Sequence, residues 1–451
     1  MPFIPHTDAD TQTMLDKLEL DSIIKLYDEI PSDIPQAKLD NIELGASELE
    51  ITQLMQQREP NNKTTLCFIG AGAYEHHIPA AVWDIVGRGE FYTAYTPYQA
   101  EASQGSLQVI YEYQSMMTSL LSMEVSNASM YDGASALAEA ALMSIRLQRG
   151  KRRKILAPTG LHPAYRRVLL SILEQQDIEI DFVALTSSGE INKEEYQQQL
   201  DQYAAVILSQ PNFLGVLEDI DTLTELAHQH STLVIAHVNP LSCALLKPPG
   251  EWGDTGADIA CGEGQPLGVP LNSGGPYFGF MCTRKKFIRQ LPGRIVAKTN
   301  DANGNTGYTL TLQAREQHIR RSKATSNICT NQGLLMVAAT IHMRLLGGKG
   351  LQDTAAICHK QTQKLADGLA SLKHIDIPFQ TPYFNELVIQ LTSHSAKDVL
   401  SQLRGHNIQG GYDLTVDYPE LGECILICAT ETKTDKDIEH YIQSLSNILG
   451  E

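Results

Sequence analysis

Tyrosines crowd one short polar segment of the chain, residues 91–105, whose sequence is FYTAYTPYQAEASQG. The segment combines Tyr92, Tyr95 and Tyr98 with several small polar side chains. A tyrosine joins a rigid apolar ring to a hydroxyl group that donates a hydrogen bond, and this combination suits a ligand pocket or a protein interface. The composition alone also allows a structural role, in which the rings pack against the body of the protein.

Two further segments have the residue types that bind an anion. In the first, the strand-like MEVSNA runs into residues 132–135 (DGAS) and an alanine-rich helix. A glycine turn at a helix N-terminus presents free backbone N–H groups to a phosphate, although such turns also occur for steric reasons. The second, residues 320–327 (RRSKATSN), could hold a phosphate through charge-assisted hydrogen bonds. A solvated domain junction is the alternative for this second segment.

Nucleotide and metal motifs are incomplete. Gly70 and Gly72 match the first two glycines of a dinucleotide fingerprint, but Glu75 occupies the position of the third. Residues 347–350 (GGKG) lack P-loop spacing and are typical of a helix C-terminus. The adjacent His76 and His77 would point to opposite faces of a strand, and the eight cysteines include no C-x-x-C pair. We therefore expect no bound metal and reduced, buried thiols.

The scaffold that must position these segments has the pattern of an α/β protein. Between about residues 63 and 321, short apolar runs such as RKILAP, IDFVAL, AAVILSQ and TLVIAHV alternate with helix-period runs such as PAYRRVLLSILEQQ and TLTELAHQH. Buried strands that alternate with helices of about 10–15 residues indicate βαβ units on a mostly parallel sheet. The runs ADIAC and YFGFMCT would extend that sheet.

The pattern changes on both sides of this region. The first sixty or so residues have helical character and no strand, with Thr7 as a candidate N-cap. After a long helix predicted from Asn331 to about Leu346, two strand-like runs, FNELVIQL and ECILICAT, alternate with two helical runs. We therefore predict an N-terminal helical arm (1–62), a large α/β domain (63–330) and a small C-terminal α+β domain (331–451).

Composition and charge exclude several classes of protein. The chain has 451 residues, of which 42% are hydrophobic and 20% charged, so it is globular rather than disordered or fibrous. Its net charge of −18 opposes binding to phosphate backbones, so we expect no nucleic-acid partner. No apolar run approaches the roughly 18 residues that span a bilayer, and the first fourteen residues lack the features of a signal peptide. We expect a cytoplasmic protein with no membrane partner.

Six strings occur in order along the chain: IGAGAYEHHIPAAV, FYTAYTPYQAEASQGSLQ, SNASMYDGASALAEAAL, QPNFLGVLED, LNSGGPYFGFM and REQHIRRSKATSNICTNQ. Together they resemble the P-protein family of the glycine cleavage system, in the form in which the P protein is split into two subunits and the first is its N-terminal half. The likeness covers essentially the whole chain, beginning at PFIPHT. It implies the fold-type-I architecture of pyridoxal phosphate (PLP) enzymes, which is aspartate aminotransferase-like.

The resemblance implies a reaction in which PLP acts on glycine, the carboxylate leaves as CO2, and the aminomethyl group passes to the lipoyl arm of the H protein. That chemistry requires a Schiff-base lysine and normally an acid against the pyridine nitrogen. No lysine lies between Lys247 and Lys285, and Gln265 and Pro266 stand near the expected place. The strand that would supply the acid, TLVIAHVNP, offers Asn239, whose amide cannot carry the negative charge.

The resemblance therefore implies a subunit that binds no PLP itself and completes the active site of a PLP-bearing subunit 2. Three residues are expected to contact the cofactor phosphate across the interface: Thr325, Ser326 and Asn327. Three more are expected to line the pocket for glycine or the lipoyl group: Tyr95, Tyr98 and Gln99. The expected assembly is a heterodimer or an α2β2 heterotetramer that binds lipoylated H protein and is inactive without subunit 2.

Two other interpretations stay open at this point. A self-sufficient PLP-dependent decarboxylase or desulfurase would have to take its lysine from Lys247 or Lys298. A purely structural partner of subunit 2 would use the ancestral cofactor cleft only as an assembly surface.

Overall fold

The computed structural model describes residues 5–35, 38, 40–43, 45–58, 65–198, 200–272 and 274–450. The chain divides into two compact units, residues 1–62 and residues 63–451. In the first unit, α1 (Asp8–Lys17) begins at the predicted N-cap: the Thr7 hydroxyl accepts from the Asp10 nitrogen, and the Asp10 carboxylate accepts from the Thr7 nitrogen. A second helix, α2 (Glu48–Arg58), follows. The predicted boundary between residues 62 and 63 lies outside the described residues.

The strands of the second unit are short, and most are buried. In chain order they are β1 (Leu66–Cys67), β2 (Val125–Ser126), β3 (Lys154–Pro158), β4 (Glu179–Val183), β5 (Ala205–Gln210), β6 (Leu233–Val238), β7 (Ile259–Glu263), β8 (Gly279–Thr283), β9 (Ile295–Asn300), β10 (Thr306–Thr311), β11 (Ile375–Asp376), β12 (Glu386–Leu391), β13 (Ile408–Gln409), β14 (Tyr412–Asp413) and β15 (Cys424–Cys428).

The helices of this unit complete the layers around the sheets. They are α3 (Ala80–Val86), α4 (Gly89–Tyr92), α5 (Gln104–Leu121), α6 (Gly133–Leu147), α7 (Pro163–Leu173), α8 (Lys193–Gln197), α9 (Ile220–Gln229), α10 (Gln317–Arg320), α11 (Gly333–Leu369), α12 (Ala396–Gly405) and α13 (Asp435–Leu449).

The large sheet has seven strands in the order β2-β8-β7-β6-β5-β3-β4, and its five strands β3 to β7 are parallel. Strand β8 pairs antiparallel with β7 and β2, so the prediction of a mostly parallel α/β sheet is confirmed. Successive side chains alternate between the two faces. In β5, Ala205 and Ile207 pack with α6 and α7, whereas Val206 and Leu208 pack with α5, α9 and α11.

The predicted small α+β region contains a four-stranded antiparallel sheet in the order β11-β12-β15-β14. Its core joins β12 and β15 to α12, α13 and the second half of α11. Strand β12 also contacts the loop that follows β1, because the Glu386 carboxyl group accepts hydrogen bonds from the Ala71 nitrogen and the Tyr74 hydroxyl. The predicted domain boundary at residue 330 stays a prediction.

Helix α11 differs from the helix predicted for residues 331–346. It runs from Gly333 to Leu369 and is broken at Gly347, whose φ of +62° suits glycine. The break lies where the helix was predicted to end, but Gly348 and Gly350 belong to a second helical segment rather than to a helix C-terminus. Among the described helices, α11 is the one long and apolar enough to cross a membrane, yet half of its most apolar window is buried in the protein. Packing in the core accounts for its apolar composition.

Candidate functional site

A small cleft lies at the carboxyl ends of β5, β6 and β7, where α/β proteins bind their ligands. Its cavity of about 60 Å³ is enclosed mostly by aromatic and polar side chains. The lining residues are Gly72, Tyr74, His162, Tyr165, Ser209, Pro211, Asn212, Phe213, His237, Val238, Asn239, Glu263, Pro266 and Glu386. No lysine is among these described residues, as the sequence predicted for this place.

Gln265 lies between the cleft-lining residues Glu263 and Pro266, but its own side chain is fully buried and does not line the cleft. Its Nε2 donates to the carbonyl oxygens of Tyr74 and Val269, both at 2.8 Å, and its Oε1 accepts from the Tyr74 nitrogen at 2.8 Å. Both N–H donors of the amide are thus in use. The residue near the expected lysine position therefore holds two loops together and offers no reactive group.

Glu263 occupies the N-terminal end of α6, where the sequence suggested an anion site. The Gly133 nitrogen donates to Glu263 Oε2 at 3.0 Å, and the nitrogens of Gln265 and Phe278 donate to Oε1 at 3.2 Å. Burial raises the pKa of Glu263 to about 8, although the three N–H groups favour its ionised form. Helix α6 does begin at Gly133, with Asp132 as N-cap, but the chain's own carboxyl group takes the N–H group that an external phosphate would use.

Two neutral histidines and their aromatic neighbours line the rest of the cleft. His162 stacks on Tyr165, with ring centroids 5.0 Å apart, and lies 4.5 Å from Phe213. Its Nδ1 accepts from the Ala164 nitrogen at 3.1 Å, so the proton is on Nε2. Burial lowers the pKa of His162 and lowers that of His237 to about 3. Neither imidazole is a charged partner for an anion.

These residues do not fit PLP. Asn239 follows β6 at the predicted position, where its Oδ1 accepts from the Leu241 nitrogen and its Nδ2 is buried without a partner among the described residues. An amide donor cannot stabilise a protonated pyridine nitrogen as a carboxylate does. Gln265 supplies no amine, and Glu263 fills the anion position. The cleft thus lacks all three contacts that the cofactor requires.

A second cavity, of about 230 Å³, lies beside the tyrosine-rich segment. It is lined by Phe91, Tyr92, Ala94, Tyr95, Thr96, Pro97, Ser106, Val109, Ile110, Arg294, Thr330, Asn331, Gly333, Leu334, Met336 and Val337. Of the three residues predicted to line a pocket here, Tyr95 does so and is 89% exposed. Tyr98 contacts Arg294 at the edge of this cavity, and Gln99 is exposed and does not line it.

Arg294 was not predicted, yet it joins the tyrosine-rich segment to residues 329–331, which follow the predicted segment 320–327. Its guanidinium lies 5.4 Å from the Tyr98 ring centroid and donates to the Cys329 carbonyl oxygen, the Thr330 hydroxyl and the Asn331 side chain. The signal in the sequence was a cation within the apolar run LPGRIVA. A buried arginine needs specific acceptors, so this pattern marks a position with a defined role.

The residues that were predicted to contact the phosphate lie just before residues 329–331 and do not line the 230 Å³ cavity. Thr325 is half-buried, and its nitrogen donates to the Arg315 carbonyl oxygen at 2.9 Å. Ser326 is half-buried, and its hydroxyl accepts from the Ile328 nitrogen at 3.0 Å, whereas Asn327 is exposed. The segment is folded on the surface of the large α/β region with its polar groups partly accessible.

The prediction that His76 and His77 lie on opposite faces of a strand is wrong. Both belong to a loop and bind one carboxylate: His76 Nδ1 lies 2.8 Å from Glu431 Oε2, and the His77 nitrogen donates to Oε1 at 2.7 Å. The Cys358 thiol also donates to Glu431, so these three side chains bring potential metal-ligand atoms within 4.8 Å. Burial raises the pKa of Glu431, but the hydrogen bonds from His76, His77 and Cys358 and the electrostatic effect of His76 together outweigh it and lower the pKa to about 2. The expected absence of a metal stays a prediction.

The family is decided by comparison with known sequences: residues 1–445 match the family described as Glycine cleavage system P-protein. The chain belongs to the glycine cleavage system P-protein family. A relative from Coxiella burnetii, named probable glycine dehydrogenase (decarboxylating) subunit 1, is 57% identical over 450 residues, or 99% of this chain and 100% of that protein. A relative of the same name from Methylococcus capsulatus is 53% identical over 452 residues and is covered completely, as is this chain.

One solved structure agrees with membership of the P-protein family, and a more distant one shares the fold. The crystal structure of a glycine decarboxylase (P-protein) of the glycine cleavage system, in inhibitor-bound form, superposes with a TM-score of 0.84 at 37% identity and covers 99% of this chain and 100% of that one. A glutamate decarboxylase from Lactobacillus brevis has a TM-score of 0.70 at 12% identity, with 93% of this chain and 95% of that chain covered, which concerns the fold alone. The predicted fold-type-I architecture of this P-protein family member is confirmed.

Proposed function

We propose that this chain is the non-cofactor-binding subunit of a two-subunit glycine dehydrogenase (decarboxylating), an oxidoreductase of the glycine cleavage system. The observation that supports a subunit without PLP is the chemistry of the cleft: Gln265 stands near the expected place of the reactive amine, and Glu263 occupies the anion position. Membership of the P-protein family supports the reaction. A partner subunit 2 would then hold PLP, and this chain would be inactive alone.

In the proposed reaction, the bond between the α-carbon and the carboxylate of glycine breaks and CO2 leaves. The aminomethyl group is transferred to one sulfur of the lipoyl disulfide on the H protein, and a proton completes the thiol at the other sulfur. PLP on the partner supplies the electron sink for the decarboxylation. This chain's part is to shape the pocket, exclude water and hold polar groups against the substrate.

The tyrosine-rich segment is the first surface that we assign to the shared active site. Tyr95 combines a cavity-lining ring with an exposed hydroxyl, and Tyr98 and Gln99 present accessible polar groups beside it. Exposed aromatic side chains of this kind are typical of surfaces that become buried against a partner. We propose that these three residues line the pocket for glycine or for the lipoyl group.

The segment that contains Thr325, Ser326 and Asn327 is the second such surface. Hydroxyl and amide groups bind phosphate oxygens well, and the cations of residues 320–323 favour an anion nearby. We propose that the three side chains reach the phosphate of PLP held by subunit 2. A heterodimer would bring one such surface to one cofactor, and an α2β2 heterotetramer would do so twice.

We also propose that the assembled enzyme is located in the cytoplasm.

A self-sufficient PLP enzyme has no supporting observation among the described residues. Lys247 Nζ pairs with the Asp221 carboxylate at 2.9 Å, and Lys298 is exposed on β9; neither lines the cleft. An experiment can distinguish a purely structural role from a contribution to the active site. A structural partner would assemble with subunit 2 without affecting the chemistry in the active site of subunit 2.

The test is glycine-dependent exchange of CO2 in the presence of PLP and lipoylated H protein, with this chain alone, subunit 2 alone and the two mixed. We expect exchange only in the mixture. Exchange by this chain alone would overturn the proposal, since it would require a reactive lysine that the cleft does not contain. Equal exchange by subunit 2 with and without this chain would reduce this chain to a structural role.

A further inference from the structure

The guanidinium of Arg294 is a buried cation whose hydrogen-bond partners are all neutral. The side chain is 2% exposed. Its Nη1 donates to the Thr330 hydroxyl at 2.8 Å and to Asn331 Oδ1 at 3.0 Å, and its Nη2 donates to the Cys329 carbonyl oxygen at 2.9 Å. An arginine stays charged in a protein, and a buried charge without an opposite charge is unfavourable. The arrangement therefore favours the approach of an anion.

One acidic group interacts with the charge of Arg294 but forms no hydrogen bond with it. Burial raises the pKa of Glu316, whose carboxylate lies 3.7 Å from His318 Nδ1, and the charge of Arg294 acts to lower that pKa. Arg315, the residue before Glu316, lowers that pKa more than Arg294 does. Among the described residues, the guanidinium of Arg294 thus has no hydrogen-bonded carboxylate partner.

One edge of the guanidinium carries an unused hydrogen-bond donor. Nε is buried and has no hydrogen-bond partner among the described residues. The neighbouring Nη2 has, besides Cys329, only a long contact of 3.4 Å to the Tyr98 hydroxyl, which can rotate. Nε and Nη2 together form the side-on edge that binds the two oxygens of a carboxylate in parallel. A carboxylate there would gain two charge-assisted hydrogen bonds and displace only the weakest existing one.

The adjoining cavity sets the size and polarity of the ligand. Its volume of about 230 Å³ is bounded largely by apolar groups, including those of Ile110, Leu334 and Val337, and the exposed Tyr95 also lines it. A phosphate dianion would need donors on several sides. A carboxylate on a short apolar body needs them on one side only, and the apolar wall then accommodates the rest of the molecule.

We infer that the Nε and Nη2 edge of Arg294 and the cavity beside it form a binding site for a small carboxylate with a short apolar body. Identifying that ligand with the carboxylate of the amino-acid substrate rests on the proposed function. The site itself depends only on residues of this chain. The contacts of Arg294 to Tyr98 and to residues 329–331 would also transmit binding to the tyrosine-rich segment and to the residues that follow Asn327.

The test is the binding of propionate to the isolated full-length chain, followed by ligand-observed saturation-transfer NMR. Propionamide, which has the same shape without the charge, is titrated in parallel. We expect propionate to bind at least tenfold more tightly than propionamide. Substitution R294Q should abolish the preference, and R294K should weaken propionate binding at least tenfold because its single ammonium group lacks the two-pronged edge. R404Q, which removes an exposed arginine from α12, should behave as the unsubstituted chain.

If R294Q does not fold, two measurements still test the inference. The first is the comparison of propionate with propionamide in the unsubstituted chain. The second uses Y98F, which keeps the guanidinium and should retain the preference for propionate. Equal binding of the two probes, or no binding of propionate, would overturn the inference. A chain that binds propionate through Arg294 but supports no glycine–CO2 exchange when mixed with subunit 2 would overturn the proposed function and leave this site standing.

Discussion

The Gly133 backbone nitrogen lies 3.0 Å from Oε2 of Glu263, so a carboxyl group from the end of β7 takes the first free N–H group of α6. The same carboxyl group accepts from two other backbone nitrogens through Oε1. A helix N-terminus is favourable for negative charge because its N–H groups are unpaired and its dipole is positive there. Here a carboxyl group of the same chain occupies that favourable position, and its hydrogen bond links α6 to β7.

Gly133 is required by the close approach of α6 to the sheet. A Cβ atom at this position would lie 2.3 Å from the Tyr165 hydroxyl oxygen and 2.7 Å from the Glu263 backbone nitrogen. We expect Gly133→Ala to lower the free energy of unfolding by about 1–3 kcal/mol, as overpacking in a core does. Urea denaturation of the isolated chain measures it. Gly105→Ala in α5, where no atom lies within 4 Å, is the matched control, and equal stability of the two variants would contradict the prediction.

Stability should fall as the pH rises from about 6.5 to about 8, above the range in which the buried histidines, whose pKa burial lowers, still take up protons on unfolding. Burial raises the folded-state pKa of Glu263 to about 8, whereas an unfolded glutamate has a pKa near 4.5. Between these values the folded state binds more protons, so raising the pH destabilises it, by at most about 1.4 kcal/mol per pH unit for one group. Glu386 and Glu218, whose pKa burial raises to about 7, add to the slope below that pH.

Glu263→Gln isolates the contribution of this carboxyl group. The variant should show a shallower decline of the urea midpoint between pH 7 and 8, where Glu263, which has the highest pKa of the three, is the most protonated in the folded state. Glu50→Gln on the exposed helix α2 is the control and should keep the slope of the unsubstituted chain. Identical slopes for the unsubstituted chain and Glu263→Gln would show that Glu263 is ionised throughout, held so by its three N–H donors.

The scaffold and the missing catalytic groups were predictable because both depend on local sequence. Alternating apolar and helix-period runs give β3 to β8, and the absence of a lysine near Gln265 is visible without a structure. The partners of Glu263 and Arg294 were not predictable, because each pairing joins residues far apart in the chain. Residue type did mark both positions: an acid ends the buried strand β7, and a cation interrupts an apolar run. The second half of α11 was missed because glycines at 347, 348 and 350 suggested an end.

Restoring a lysine should not restore a cofactor site. In Gln265→Lys the ammonium group would be buried where Tyr74 and Val269 now receive hydrogen bonds, and a buried unpaired charge costs about 3 kcal/mol or more. We expect a lower melting temperature and no visible absorbance of covalently bound PLP, because Asn239 and Glu263 still oppose the ring nitrogen and the phosphate. Gln265→Met separates the loss of hydrogen bonds from the added charge. A stable Gln265→Lys chain that takes up PLP would show that lysine is the one group lacking.

Tyr95→Phe should reduce activity without affecting stability. The side chain is 89% exposed, so the isolated chain should unfold within about 0.5 kcal/mol of its usual free energy. If its hydroxyl contacts the substrate in the assembled enzyme, we expect kcat/KM for glycine to fall about tenfold, which corresponds to about 1.4 kcal/mol. Tyr27→Phe, also at an exposed tyrosine, is the control. Unchanged kinetics for Tyr95→Phe would remove this residue from the proposed pocket.

Thr325→Ala should weaken PLP binding by the assembled enzyme, since the proposed hydroxyl contact to the phosphate is charge-assisted and worth about 1.5–3 kcal/mol, or about 10- to 100-fold in affinity. The backbone bond from the Thr325 nitrogen to Arg315 does not use the side chain, so the fold should be retained. Thr325→Ser keeps the hydroxyl and should keep most of the affinity, and Thr13→Ala on the exposed helix α1 should have no effect. Titration of cofactor-free enzyme with PLP, followed by recovery of exchange activity, measures each affinity. Equal affinities for Thr325→Ala and Thr325→Ser would mean that the hydroxyl does not reach the cofactor, and that this segment serves assembly alone.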